Sequence, residues 1–290
     1  AGAGAGPGRV RQAWVRSPSS TDVGALWLAC GMEHVASADG TSIAYERVGD
    51  GPRVVIVNGA MSRARDAASV AAALSDAGFA AVAYDRRARG DSGDSPPVDP
   101  KREVDDLAAV IGAVGGAAAV LGHSSGAVLA LFAASEGVDT GRLFLSEPPF
   151  AFGEDLPAAD LPERLQQLVD EGRRGDAVAA FQREAIRLPD EMIEQIRQSP
   201  MFADLESLAQ SVVYDATLTR AVSTPTPAML SVAEPVTILC GVQTFPMLIA
   251  ASHRLAAAIP GAERVDMPAS IGHRLDGPEA AEVVRARLAG

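Results

Sequence analysis

Cysteine, histidine, positive charge and long apolar runs are all scarce in this chain. Two cysteines, Cys30 and Cys240, are all that 290 residues contain. They stand far apart in apolar surroundings and lack metal-ligand spacing. The expectation is a pair of buried free thiols in a reducing, cytoplasmic compartment. Lys and Arg total 25 against 37 Asp and Glu, a formal net charge of -12. Phosphate contacts need clustered Lys and Arg, so this balance argues against nucleic acid as a partner. It argues equally against an anionic membrane surface. No apolar run approaches the ~20 residues of a membrane span. There is no His/Cys cluster and no phosphate-binding glycine loop, so neither a metal nor a cofactor is implied. What remains is a chain that is 48% apolar, long enough to bury a large core around a small-molecule pocket.

Residues 1–31 open with the low-complexity stretch AGAGAGPG and end near the short apolar run VGALWLAC. The expectation for them is a loosely docked leader or a cloning remnant. From Met32 the pattern becomes regular. HVASADG and TSIAYERVG are strand-like runs joined by the turn pair Asp39-Gly40. PRVVIVNGA, FAAVAYD, AAAVLGH and GRLFLSEPP are short continuous apolar runs, as buried strands require. Helical patterns separate them, one over 65–78 with its stop at Gly78 and another opened by Asp99 and Pro100. Such alternation implies crossover connections and a mainly parallel sheet.

Residues 151–225 carry apolar positions at helical spacing, several Pro breaks and no strand pattern. VTILCG and ERVDMP then resume the strands, each followed by a helix. The expected fold is therefore α/β, a mainly parallel central sheet flanked by helices, with a helical cap insertion. The expected core is 32–150 with 226–290, and the expected cap is 151–225.

The stretch GHSSG (122–126) sits where a buried strand turns into a helix. G-x-S-x-G alone also fits a serine capping a helix. At a strand-to-helix turn the same pattern holds the central Ser124 in a strained turn with its hydroxyl exposed above the sheet. The backbone N–H of Ser125 falls in the first helical turn, where amides have no intrahelical partner, and is available to an oxyanion. The two serines therefore differ in role: Ser124 offers a nucleophilic oxygen and Ser125 a backbone amide.

Several stretches in order resemble the α/β-hydrolase fold superfamily, in its serine-nucleophile branch with a helical cap, over roughly residues 33–288. VVIVNGA (54–60) resembles the strand and loop that supply the second oxyanion amide, here that of Ala60. YDRRARGDSGDS (84–95) resembles the D-x-R-G-x-G-x-S loop, with Ala88 in place of one glycine. GHSSG resembles the nucleophile elbow. ASIGHRLDGPEAAEVVRARL (269–288) resembles the loop and last helix that present the catalytic histidine, here His273. Of the other histidines, His34 lies in the first strand, His123 is the variable residue of the elbow, and His253 sits within a helical pattern. A serine needs such a base, and imidazole has the pKa for it.

The chain departs from the family at the third member. The usual acid follows the strand after the cap in a G-x-x-D turn, but here that turn reads GVQT (241–244), with Thr244 in the acidic position. Some branches of the fold carry the acid one strand earlier, which implies Glu147 in LFLSEPP. The alternative for Glu147 is a strand-end residue turned to solvent or capping the Pro-Pro turn. Asp276 suits the start of the last helix, and Asp215 in the cap is a more distant candidate. The arginines and aspartates of loop 85–95 are expected to pair and hold that loop beside the elbow.

The resemblance implies a serine hydrolase acting on an ester or lactone of a small, apolar molecule. Ser124, His273 and Glu147 would be catalytic, and the amides of Ala60 and Ser125 would form the oxyanion hole. A non-hydrolytic member of the fold, such as a lyase, cyclase or ligand-binding protein with an incomplete triad, is the alternative.

Overall fold

The computed structural model describes residues 31–154 and 156–288. The leader expected over 1–31 and the thiol expected at Cys30 fall, but for Gly31, outside the described residues. Eight strands form one sheet: β1 (Glu33–Ala36), β2 (Ser42–Val48), β3 (Arg53–Val57), β4 (Ala80–Tyr84), β5 (Ala119–His123), β6 (Arg142–Ser146), β7 (Val236–Gln243) and β8 (Glu263–Ile271). Their spatial order is β1-β2-β4-β3-β5-β6-β7-β8. The β1–β2 and β2–β4 pairings are antiparallel, and every other pairing is parallel.

The central strands are apolar on both faces because helices cover both. All five residues of β4 are buried, as are the first four of β5. On one face lie α1 (Ala68–Asp76) and α11 (Gly277–Leu288), through Val70, Leu74, Ala281 and Val284. The other face packs α2 (Pro100–Ala113) and α3 (Ser125–Ser135), through Leu107, Val110, Val128 and Leu131. Nine of the eleven residues of α3 are buried, which suits a helix enclosed on nearly all sides. Fully burying a side chain such as Leu121 or Phe144 contributes about 1.5–3 kcal/mol.

Local signals act where the sequence puts them. Asp99 accepts the N–H of Lys101 at 2.9 Å ahead of Pro100 and so caps α2. The helix expected over 65–78 opens instead as a 3-10 turn, Ala64–Ala67, before becoming α-helical. Asp66 accepts from Arg63 N–H at 2.8 Å and Asp85 holds Ala64 N–H at 2.7 Å, which tightens that turn.

Between β6 and β7 the chain inserts α4 (Leu161–Asp170), α5 (Arg174–Phe181), α6 (Asp190–Arg197), α7 (Phe202–Ser207), α8 (Ala209–Ala221) and the short α9 (Pro227–Leu230). Leu165, Val178, Phe181, Val212 and Val213 form an apolar core within this insertion, and Ala60 and Met61 of the main domain pack against it. After β7 comes α10 (Pro246–Ala258). Both last strands run further than the apolar patterns VTILCG and ERVDMP suggest. Gln243 pairs with Ile271 across an irregularity at Gly241–Gln243, so two loops leave the sheet side by side. Among the described residues, no helix is long and apolar enough to cross a membrane.

Candidate active site

The chain turns at Ser124 with φ 54° and ψ −124°, between β5 and α3. Such a backbone costs about 1–3 kcal/mol in a residue with a Cβ, and only tight surroundings maintain it. Those surroundings are visible. Ser124 N–H donates to Ser146 O at 2.8 Å. A Cβ at Gly122 would meet Ala127 Cα at 2.5 Å, and one at Gly126 would meet Val57 O at 2.1 Å. Both glycines are therefore fixed by close approach of strand and helix. Seven non-glycine residues among the described ones have positive φ, and four of them, Met61, Ser124, Glu147 and His273, belong to this region.

Glu147 and His273, 126 positions apart, meet at the ends of β6 and β8. The His273 Nδ1–H donates to Glu147 Oε2. The same carboxylate accepts from Thr244 Oγ1 at 3.0 Å and from Gly241 N–H at 2.9 Å. Thr244, the residue standing in the acidic position, thus supports the carboxylate supplied from the next strand. A Cβ at Gly241 would lie 2.9 Å from Glu147 Oε1 and 2.4 Å from Ser270 O, so glycine keeps room for that carboxylate. Burial pushes the Glu147 carboxyl up, but the hydrogen bond and charge of His273, with the Gly241 amide, outweigh it and hold the group below its usual range. An ionised Glu147 accepts only, so the Nδ1 of His273 carries the proton. In the neutral ring Nε2 then has the free lone pair that a base requires.

His123 lies beside this pair. Its ring centroid is 4.7 Å from that of His273, and its Nδ1 is 3.0 Å from Ser146 Oγ. Burial, then the neighbouring His273, push its imidazole down to about 3 against the pull of Glu147. His123 is therefore neutral near pH 7. Phe245 stands edge-on to His273, with ring centroids 6.2 Å apart. Among the described residues Ser124 Oγ has no hydrogen-bond partner, so the structure does not join it to His273. Catalytic hydrogen bonds are often long in ligand-free enzymes and tighten with substrate bound.

The amides of Ala60 and Ser125 donate to no group among the described residues. Around them lies a buried ion cluster. Arg86, Arg87 and Arg89 are 1%, 0% and 2% exposed. Their carboxylate partners lie outside the loop: Arg86 meets Glu103 and Asp215, Arg87 meets Asp106 and Asp39, and Arg89 meets Asp215. Within the loop, Asp85 accepts from Asp91 N–H at 2.8 Å. Ala88 adopts φ 61°, which explains why glycine suits that position.

The other candidates from the sequence are accounted for. Asp215 is held by two arginines and is not the partner of His273. Asp276 accepts from Glu279 N–H at 2.9 Å at the start of α11. His253 is exposed on α10, and His34 pairs with Ser42 Oγ at 3.1 Å. The supporting role of Thr244 and the contact of His123 with His273 were not anticipated. The missing acid in GVQT was the one signal that pointed toward the former.

Comparison with known proteins agrees with this architecture. A model of the alpha/beta hydrolase family matches residues 54–286. An alpha/beta hydrolase from Sphaerobacter thermophilus is similar at 39% identity and TM-score 0.81, over 88% of this chain and 99% of that one. A thermophilic esterase from Thermogutta terrifontis, solved with malate bound, shares the fold at 22% identity and TM-score 0.67, over 90% of this chain and 98% of that one. An enol-lactonase from Burkholderia xenovorans shares it at 19% identity and TM-score 0.58, over 89% and 98%. Among curated proteins nothing matches.

Proposed function

The chain belongs to the alpha/beta hydrolase family, and from that premise we propose that it is a serine hydrolase cleaving an ester or lactone of a small, apolar molecule through an acyl-enzyme. Ser124 Oγ attacks the carbonyl carbon while His273 Nε2 takes the hydroxyl proton. The carbonyl oxygen becomes an oxyanion and accepts from the amides of Ala60 and Ser125. Collapse expels the alcohol, which receives the proton from His273. Water then attacks the acyl-enzyme by the same route and releases the acid. Glu147 orients the imidazole and stabilises its cationic form. Residues 151–225 serve as a cap over a catalytic core of 32–150 and 226–290.

The observation that carries this reading is the hydrogen bond between Glu147 and His273, reinforced by Gly241 and Thr244. The two unoccupied amides support the oxyanion hole, and Phe245 and Met61 beside the site support an apolar substrate. The reading includes a cytoplasmic location, supported by the buried free thiol of Cys240. A non-hydrolytic role drew on the absent acid at Thr244, and Glu147 supplies a carboxylate in that place. The unpaired Ser124 hydroxyl is the observation that still favours it. Incubation with a fluorophosphonate separates the two: the wild-type chain is expected to label and Ser124→Ala to stay unlabelled. Folded wild-type protein that fails to label would exclude the hydrolase.

A further inference from the structure

Asp215 has no part in the chemistry proposed above, yet it is fully buried and reaches both segments that carry the oxyanion amides. It belongs to α8 of the insertion. Its Oδ1 accepts from Ser125 Oγ at 2.7 Å, which ties it to the first residue of α3. The same oxygen accepts from Arg86 Nη1 at 3.0 Å, and Oδ2 accepts from Arg89 Nη2 at 2.8 Å. These two arginines hold the other segment by its carbonyls. Arg86 donates to Asn58 O at 3.3 Å, and Arg89 donates to Gly59 O at 2.5 Å and Ser62 O at 3.1 Å. Ala60 lies between those anchored carbonyls.

We infer that Asp215 is a positioning residue for the oxyanion hole, coupling the seating of the insertion to the spacing of the Ala60 and Ser125 amides. The inference rests on the proposed hydrolase reading. Its physical basis is the tolerance of such a site: donors must be held to within about half an ångström of the developing oxyanion. A buried ion cluster is a poor source of net stability, but its hydrogen bonds are directional and join segments distant in sequence. The charges also balance, with Arg86 and Arg89 facing Asp215 and Glu103. The cluster therefore orients backbone without adding a net charge to the site.

That balance supplies the decisive readout. Asp215→Asn leaves arginine charge in excess near the oxyanion. If the geometry were unchanged, the excess would speed hydrolysis. Lost positioning slows it. With p-nitrophenyl acetate, Asp215→Asn is expected to lower kcat about 10- to 100-fold, less than the loss of an oxyanion donor itself, with KM within about threefold. Ser125→Ala keeps the backbone amide and removes the hydroxyl that donates to Asp215 and accepts from Arg86 Nη1 at 3.1 Å; its kcat should fall about three- to tenfold, with a matching fall in the fluorophosphonate inactivation rate. Should Asp215→Asn not fold, Ser125→Ala decides the matter. Wild-type kcat in Ser125→Ala, or a kcat in Asp215→Asn at or above wild type, overturns the inference while leaving the hydrolase reading intact. A wild-type chain that is not labelled removes the reading and the inference together.

Discussion

On one side of Ser124, at the ends of β6, β7 and β8, a single carboxylate meets a single imidazole. On the other side, beyond β3 and β4, three arginines are buried with the carboxylates of Glu103, Asp106 and Asp215. Both sides contain acids and bases in contact, yet they suit different work. The His273 side chain is 17% exposed and that of Glu147 is 4% exposed, which suits the proton exchange proposed for this pair. Arg86 and Asp215 are 1% and 0% exposed, and no titration near neutral pH reaches them. The imidazole of one pair is partly exposed, as the proposed proton exchange requires; the arginines are buried with their counter-ions, as holding backbone in place requires. Arginine suits the second duty because its fork bonds two partners at once and stays charged.

Three substitutions would sharpen or break this contrast. The largest effect is expected on the proton-exchanging side. Glu147→Gln keeps the shape but replaces the acceptor beside Nδ1, and kcat should fall about 10²- to 10⁴-fold, with little change in thermal midpoint. Unchanged turnover would remove Glu147 from the mechanism. On the buried side, Asp106→Asn breaks the paired contact with Arg87, whose Nε and Nη2 each lie 2.7 Å from its carboxylate. Removing one partner of such a pair costs about 3–5 kcal/mol. Urea unfolding should show that loss, while kcat per folded molecule stays near wild type, since neither residue touches an oxyanion segment. A large fall in kcat would mean that the whole cluster, and not only Asp215, acts on the site.

The smallest effect concerns His123. Unfolded, its imidazole titrates near ~6.5; folded, it is held down to about 3. Between those values the unfolded chain binds more protons, so stability is full above about 6.5 and declines as the pH falls toward 3. His123→Asn removes this contribution, and the urea midpoint should drop less between pH 7 and pH 4 than it does in wild type. Equal slopes would show that His123 is not the group responsible.

Much of the architecture was legible because it is written in short-range patterns. Continuous apolar runs such as FAAVAYD, set between helical patterns, suit strands covered on both faces, and the Asp99-Pro100 cap and the close approach of Gly122 to Ala127 act within a few residues of themselves. The opening of α1 was misjudged because Asp85, some twenty positions away, tightens its first turn. The ends of β7 and β8 were misjudged because they pair with each other beyond the apolar patterns. Asp215 was equally opaque. A carboxylate in a helical pattern reads as surface until its partners are known, and here two of them lie 126 and 129 positions away.

By itself, the sequence determined the α/β alternation, the strained turn at Ser124, the amide at the head of the following helix, and a shortlist of carboxylates for His273. These follow from local sterics and periodicity, which act over a few residues. Only the tertiary structure decided which carboxylate meets His273, what Thr244 does in the position of an acid, and where Asp215 is anchored. Each of those contacts joins residues about 90 or more positions apart, and a contact of that kind exists only after the sheet has set its strand order and register. The physical reason is that a carboxylate's role is set by the charge and burial around it, and those are properties of the fold.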